Sequence, residues 1–155
     1  MDEKTNVIRI LDQKKIKHKT HSYVGTGAIS GKEVAEVLGQ NPECVFKTLV
    51  TIGKSKSNYV FVIPVEKELN LKKAAKAVGE KSIEMIKSKE LLPLTGYIHG
   101  GCSPIGMKKF FKTVIDISAE ECETIIFSAG KIGYQVEMSL EDLSKVIRFT
   151  TADLI

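Results

Sequence analysis

A lysine inside an apolar segment is the clearest candidate for chemistry. Lys47 lies within residues 45–52, where β-branched residues and alternating polarity predict a strand. A lysine near the start of such a strand costs free energy unless its ammonium group reaches a pocket, a partner or solvent. Lys47 is therefore either a ligand-facing cation or a lysine whose stem packs while its head reaches water. Thr48 would point to the opposite face and offer its backbone amide to the same region.

A glycine-rich segment, residues 96–106, is the second candidate. Four glycines and one proline in eleven residues predict a loop whose amides can approach a ligand closely. The spacing matches neither a P-loop nor a dinucleotide-binding fingerprint, so a plain structural turn is the alternative. His99 and Cys102 lie three residues apart in this loop, but no third residue is visible that would orient them as base and nucleophile.

Ser128 is the third candidate, because it ends a predicted strand before the glycine-framed turn at residues 130–133. Its hydroxyl either donates a hydrogen bond to a ligand or caps the turn. The surrounding residues lack the G-x-S-x-G pattern of a hydrolase nucleophile elbow.

Composition indicates a single domain over residues 1–155, long enough to bury a core. No apolar run is long enough to cross a bilayer, and the acidic N-terminus at residues 1–4 does not resemble a secretion signal, so we expect a cytoplasmic protein. The three cysteines are odd in number and none forms a C-x-x-C pair, which predicts no disulfide framework and no zinc site. His18 and His21 would face opposite sides of a strand, so we predict no metal site and no cofactor.

The net charge of +4 comes almost entirely from lysine, since Arg9 and Arg148 are the only arginines. Lysine favours contact with phosphate over readout of base edges. Two groups of lysines form either a phosphate-binding surface or an ordinary solvated face: Lys72, Lys73 and Lys76, with Lys108, Lys109 and Lys112.

Periodicity and capping signals predict an alternation of helices and strands. Predicted helices cover residues 5–15, 30–38, 70–78, 88–92 and 139–147, with Ser30 and Glu33 as a capping box and Ser88 as a cap. Predicted strands cover residues 19–23, 45–52, 59–65, a short piece after Pro104, 112–117, 124–128 and 134–138. Strands joined mostly by hairpins, with helices outside, indicate an α/β (α+β) fold with a mixed, barrel-like sheet.

The combination of these segments, in this order, resembles the YbaK/EbsC family of Cys-tRNA(Pro) deacylases. The matching segments are residues 45–49, 69–76, 95–97, 100–106 and 128–131, and the resemblance extends from about Thr5 to Leu154. This family is related to the editing domain inserted in bacterial prolyl-tRNA synthetases. The resemblance implies a barrel-like mixed sheet flanked by helices.

The resemblance also implies hydrolysis of the ester that joins cysteine to tRNA(Pro). Such an enzyme is needed because an apolar pocket discriminates poorly between residues of similar size. The substrate's own thiol would be the nucleophile, and prolyl-tRNA synthetase is a candidate partner. The family's catalytic lysine falls on Lys47, and its substrate-binding positions fall on Tyr23, Thr48, Gly100, Gly101 and Ser128.

Two other functions stay open from the sequence. The same fold can act on Ala-tRNA(Pro) or another mischarged tRNA, because pocket volume decides the substrate. A catalytically inactive module that binds tRNA or synthetase is the second, although the intact Lys47 and the glycine loop argue against it. A sequence-specific DNA-binding protein is disfavoured by the two arginines and the lack of a helical reading motif.

Overall fold

The computed structural model describes residues 4–155. The acidic residues Asp2 and Glu3, on which the prediction of no secretion signal depends in part, lie outside the described residues. The helices are α1 (Asn6–Gln13), α2 (Gly31–Val37), α3 (Leu71–Val78), α4 (Ser88–Thr95) and α5 (Leu140–Leu143), with short 3-10 helices at Pro42–Cys44 and Ile117–Glu121. The strands are β1 (Lys19–Ser22), β2 (Phe46–Gly53), β3 (Asn58–Pro64), β4 (Ile83–Met85), β5 (Lys112–Asp116), β6 (Ile125–Ser128), β7 (Tyr134–Met138) and β8 (Thr150–Ala152).

The strands form two sheets that meet at one point. The larger sheet has the order β4-β2-β3-β5-β8 and mixes antiparallel with parallel pairs. The smaller sheet has the antiparallel order β1-β7-β6. A parallel bridge between Val45 and Ile126 joins the start of β2 to β6. The expected mixed sheet flanked by helices is confirmed, but within residues 4–155 the two sheets do not close into a barrel.

The core lies on both faces of the larger sheet. Val60, Phe61, Val62 and Ile63 of β3 are fully buried, which confirms that this strand is central. Phe46 and Val62 pack on one face with α1 and the glycine-rich loop. On the other face, β3 packs against Ala74 of α3. Strand β2 therefore runs between two packed layers, and its start is held at the junction of the two sheets.

Capping explains where the helices begin. The predicted capping box is present, since the Ser30 hydroxyl accepts from the Glu33 amide and the Glu33 carboxylate accepts from the Ser30 amide. Asn70 caps α3 through two amides, and Gly79 ends it in the left-handed conformation at φ 73°. The prediction that Ser88 caps α4 is wrong, because Ser88 is the first helical residue and Lys87 holds the cap position without a side-chain bond.

The predicted strand after Pro104 is also wrong, because this segment is a loop. The Ser103 hydroxyl accepts from the Ile105 amide, and the Tyr97 hydroxyl donates to the Ile105 carbonyl. Side-chain bonds therefore use the backbone groups that a strand partner would need. The last helix is shorter than predicted, ending at Leu143.

A disulfide between Cys44 and Cys122 contradicts the prediction that the chain has no disulfide framework. These residues are separated by 78 positions in the sequence, so no local spacing pattern connects them. The bridge between Val45 and Ile126 brings the two segments together, and the third cysteine, Cys102, lies elsewhere in the core. No helix within residues 4–155 is long and apolar enough to cross a membrane.

Candidate active site

Lys47 is half-buried near the start of β2, where it pairs with Ile63 of β3. Alternation along the strand puts its side chain on the same face as that of Val45. On that face Val45 packs with Ala35 of α2 and Ile126 of β6. No hydrogen bond or ion pair joins the Lys47 ammonium to another residue of the described chain. Lys47 is therefore a partly covered cation that has no counter-charge among residues 4–155.

Ser128 lies near the start of β2, on the strand that the Val45–Ile126 bridge connects to it. Because the Val45–Ile126 bridge is parallel, Lys47 and Ser128 each lie two residues beyond it, on β2 and on β6. Strands β2 and β6 approach within 8 Å between Cα atoms, and alternation keeps both side chains on the face of Val45 and Ile126. The Ser128 hydroxyl accepts a hydrogen bond from the Gly130 amide at 3.1 Å, which leaves its own hydrogen for a ligand.

The smaller sheet carries the next candidate to the same surface. Ser128 pairs with Gln135 of β7, and Gln135 pairs with His21 of β1. Directly paired residues share a face, so Tyr23, two residues after His21, continues this row. Tyr23 is buried, and its amide donates to the Gly133 carbonyl at 2.8 Å. The structure thus brings Tyr23, Ser128 and Lys47 to one surface at the junction of the sheets.

The glycine-rich loop packs against the turn between β6 and β7. A methyl group built on Gly101 would lie 3.2 Å from the Ile132 nitrogen, which is tighter than an ordinary contact and would require the backbone of the turn to shift by a few tenths of an ångström. Gly100 has a φ of +87°, which a larger residue adopts with strain. The Gly101 amide donates to the Ile98 carbonyl at 3.0 Å, so it is already used within the loop. For Gly100, an amide that faces a ligand stays a prediction.

Thr48 offers a second amide at the junction. The Val65 amide donates to the Val45 carbonyl, and the Gly53 amide donates to the Ser57 carbonyl. These bonds direct the odd-numbered residues of β2 toward β3, so the amide of Thr48 points to the other side, where β6 meets β2. Its hydroxyl is buried among the core residues on the far face and has no hydrogen-bond partner within residues 4–155.

Cys102 is unsuited to act as a nucleophile. Burial raises the pKa of its thiol to about 12, so the reactive thiolate is scarce near neutral pH. Burial also raises the pKa of the neighbouring Tyr97 hydroxyl to about 12. His99 is exposed, whereas Cys102 is buried, and no hydrogen bond in the described chain connects them.

The lysines of the predicted phosphate-binding surface differ in their surroundings. The Lys73 ammonium binds the Asp153 carboxylate and the Ile155 carbonyl, each at 2.9 Å. Lys72 and Lys76 are exposed on the same helix. Lys109 lines a surface cleft of about 170 Å³, together with Pro104 and Gly106 at the end of the glycine-rich loop. Neither this cleft nor a second one of about 190 Å³ is lined by Lys47, Ser128 or Tyr23.

Two glutamines at the junction were not predicted from the sequence. Gln135 is buried opposite Ser128, and its side-chain oxygen accepts from the Gln40 amide group at 2.8 Å. The Gln40 side-chain oxygen is buried without a partner in the described chain. In the alternating strand 134–138 a glutamine indicates a solvent-facing position, so sequence periodicity carried no signal for this pair.

The family model for the aminoacyl-tRNA editing domain matches residues 26–146. The chain belongs to this family. The matched region contains Lys47, Thr48, Gly100, Gly101 and Ser128, whereas Tyr23 lies just before it. The predicted resemblance is therefore confirmed at the level of the family, while the roles of the individual residues stay predictions.

Two curated relatives agree with this assignment. EbsC of Enterococcus faecalis, whose name proposes a Cys-tRNA(Pro)/Cys-tRNA(Cys) deacylase, is 46% identical over 140 residues, covering 90% of this chain and 85% of EbsC. The proline–tRNA ligase of Thermodesulfovibrio yellowstonii is 31% identical over 108 residues, covering 70% of this chain but 18% of the ligase. The editing domain thus corresponds to a small part of the ligase and to most of EbsC.

A solved structure shares the fold. The crystal structure of a proposed trans-editing enzyme for prolyl tRNA synthetase superposes with a TM-score of 0.82, at 21% sequence identity and with 97% of each chain covered. At this identity the match shows a shared fold and does not identify the substrate.

Proposed function

We propose that this editing domain hydrolyses the aminoacyl ester of Cys-tRNA(Pro) as a separate protein. The observation that carries the proposal is the 46% identity to EbsC over 90% of the chain. The reaction suits the junction of the sheets, because an aminoacyl ester is already activated and needs mainly orientation and charge stabilisation. In this proposal the protein acts in the cytoplasm, where aminoacyl-tRNA is made and used.

Lys47 supplies the positive charge in this mechanism. Attack on the ester carbonyl creates an oxyanion, and a cation about 4 Å away stabilises it by about 4 kcal/mol at an effective dielectric constant of about 20. The ammonium has no protein counter-charge within residues 4–155 to weaken this effect. In this proposal the backbone amides of Gly100 and Thr48 form the oxyanion hole. Each such donor raises kcat by about 10²–10³-fold.

The nucleophile in the proposed reaction is the thiol of the substrate's own cysteine. Its sulfur bonds to the ester carbonyl carbon, the bond from that carbon to the ribose oxygen breaks, and the thiol proton ends on the released hydroxyl. The products are uncharged tRNA and a cyclic thiolactone, which water then opens to cysteine. The chain's own thiol, Cys102, is too weakly acidic to compete.

Selection of tRNA(Pro) is assigned in this proposal to a complex with prolyl-tRNA synthetase. The chain has two arginines among its 23 basic residues, so its own charge favours contact with phosphate over readout of bases. A pull-down of the synthetase in the presence of tRNA tests this part, and the absence of a ternary complex contradicts it.

Hydrolysis of three charged forms of the same tRNA tests the reaction. Purified protein is incubated with Cys-tRNA(Pro), Ala-tRNA(Pro) and Pro-tRNA(Pro), and the remaining ester is counted over time. We expect loss of cysteine alone, abolished by Lys47→Ala. Lys145→Ala is the matched control, because Lys145 is an exposed lysine that binds Asp142 at 2.9 Å and lies outside the site.

Each other outcome changes a different part of the proposal. Loss of alanine would keep the editing reaction and reassign the substrate. Full activity in Lys47→Ala would refute the role of Lys47. No loss from any of the three tRNAs would refute the enzymatic function and favour a binding role.

A further inference from the structure

Three large apolar side chains are exposed around the candidate site. The exposed fractions are 62% for Val24, 52% for Ile98 and 47% for Ile132. They come from three separate loops: the one after β1, the glycine-rich loop, and the turn between β6 and β7. Single exposed apolar residues are common on protein surfaces, but three that converge from distant parts of the chain indicate a binding surface.

Contacts among these loops bring Val24 and Ile132 to one edge of the site, beside the loop that carries Ile98. A methyl group built on Gly133 would lie 2.7 Å from Val24 Cγ2, and Gly133 directly follows Ile132. A methyl group built on Gly100 would lie 3.7 Å from Ile132 Cδ1. The Ile98 carbonyl accepts the turn hydrogen bond that closes the chain around Gly100. Val24, Ile98 and Ile132, here called the apolar ledge, therefore border Tyr23 and Gly100.

The chemistry of the proposed substrate indicates which of its parts contacts this edge of the site. In aminoacyl-tRNA the amino acid is esterified to the ribose of the last nucleotide, and that nucleotide belongs to an unpaired end. An ester held beside Lys47 and Gly100 leaves its base, and the bases before it, at the rim of the site. Bases that are not paired bind proteins by stacking on aromatic and apolar side chains.

Charge and shape at the rim agree with this occupant. His99, between Ile98 and Gly100, is exposed and adds a planar ring to the apolar surface. Lys131 precedes Ile132 and is also exposed, so positive charge lies beside the apolar ledge where a phosphate backbone would pass. Stacking is tolerant of sequence, which fits a chain with few arginines for base readout.

We propose that the apolar ledge formed by Val24, Ile98 and Ile132 stacks the unpaired nucleotides at the 3′ end of the tRNA. This inference rests on the proposed function and names the part of the tRNA that the chain itself holds. The apolar ledge contributes to binding of substrate and transition state alike, so its loss raises KM and leaves kcat unchanged.

Ile132→Ser and Val24→Ser test the apolar ledge in the full-length protein. Met85→Ser is the matched control, because Met85 has the same exposed fraction of 47% and lies on β4 opposite Thr51, four residues along β2 from Lys47. We expect KM for Cys-tRNA(Pro) to rise roughly tenfold or more in each ledge variant, with kcat unchanged, and to stay at the wild-type value in Met85→Ser.

Binding of a short RNA separates this inference from the proposed function. The probe is a single-stranded cytidine-cytidine-adenosine trinucleotide with a fluorophore at its 5′ end, whose fluorescence anisotropy rises when the protein binds it. We expect the wild-type protein and Met85→Ser to raise this anisotropy, and Ile132→Ser to require a roughly tenfold higher protein concentration. Binding of the trinucleotide that depends on Ile132 without any deacylation would uphold the apolar ledge and refute the proposed function.

Two results would overturn the inference. One is an unchanged KM and unchanged binding of the trinucleotide in both ledge variants. The other is an unchanged KM for tRNA together with lost binding of prolyl-tRNA synthetase, which would make the apolar ledge a surface for a protein.

Discussion

Replacement of Thr48 by valine separates the backbone of this residue from its side chain. The Thr48 hydroxyl is buried, and no described residue forms a hydrogen bond with it. Valine has nearly the same shape and suits a strand at least as well. The substitution therefore removes an unsatisfied polar atom and leaves the amide that points toward β6.

The expected gain in stability follows from the cost of a buried polar group without a partner. That cost is about 1–3 kcal/mol. Because a hydroxyl can turn or relax to recover part of this cost, we expect the free energy of unfolding to rise by about 1–2 kcal/mol. For a domain of this size each kcal/mol raises Tm by about 2–4 °C.

A threonine on the same strand provides the matched control. Thr51 is fully buried, and its hydroxyl donates to the Tyr59 carbonyl at 2.9 Å. Thr51→Val loses that hydrogen bond, so we expect it to lower the free energy of unfolding by about 1 kcal/mol. The two substitutions are chemically identical and are expected to change stability in opposite directions.

Urea unfolding and deacylation of Cys-tRNA(Pro) are measured on both variants. We expect Thr48→Val to keep wild-type kcat/KM, because the proposed contribution of Thr48 is its amide. A fall in stability would show that the hydroxyl has a partner after all. A tenfold or greater loss of kcat/KM at unchanged stability would show that the hydroxyl itself contacts the substrate. Either result refutes the reasoning.

Three further predictions concern stability. Reduction of the Cys44–Cys122 disulfide, which spans 78 positions, is expected to lower the free energy of unfolding by about 2–4 kcal/mol. The measurement is urea unfolding with and without reductant, and a variant with both cysteines replaced by serine should not respond to reductant. Asp116→Ala removes the acceptor of the buried Leu154 amide and should lower the free energy of unfolding in urea by about 2–3 kcal/mol. Asp116→Asn keeps an oxygen acceptor and should lower it less, and equal losses in the two variants would contradict this reasoning. Burial raises the pKa of the Glu137 carboxyl, but hydrogen bonds from a threonine hydroxyl and an imidazole outweigh it and leave that pKa lowered. The stabilisation is therefore present above the unfolded-state pKa of about 4.3 and is lost as pH falls through the folded-state pKa, so Glu137→Gln should show a weaker loss of stability on acidification than wild type.

Much of the fold could be predicted because its signals are local. The capping box at Ser30 and Glu33 and the apolar run of β3 determine their elements from a few neighbouring residues. Strands β4 and β8 were not predicted, since three residues are too few to show a period and each depends on a partner strand. The disulfide was missed for the same reason, because it depends on a contact between distant segments.

The site was predictable only in part, for a related physical reason. Lys47 was visible because a charged residue breaks an apolar pattern, and Gly100 because clustered glycines predict a close approach of the backbone. Tyr23 came from family resemblance alone. Gln135 gave no signal, since a polar residue in an alternating strand indicates exposure, whereas here the junction of the two sheets buries it opposite Ser128.

The chemistry of the junction also bears on the source of the nucleophile. With a thiol pKa of about 12, Cys102 has a thiolate fraction of about 10⁻⁵ at pH 7. No general base within residues 4–155 forms a hydrogen bond with the Ser128 hydroxyl, and its oxygen already accepts from the Gly130 amide. A site with one ammonium group and backbone amides, but without an activated nucleophile within residues 4–155, suits a substrate that brings one. That requirement favours cysteine over alanine as the amino acid removed, because only cysteine carries a thiol to its own ester.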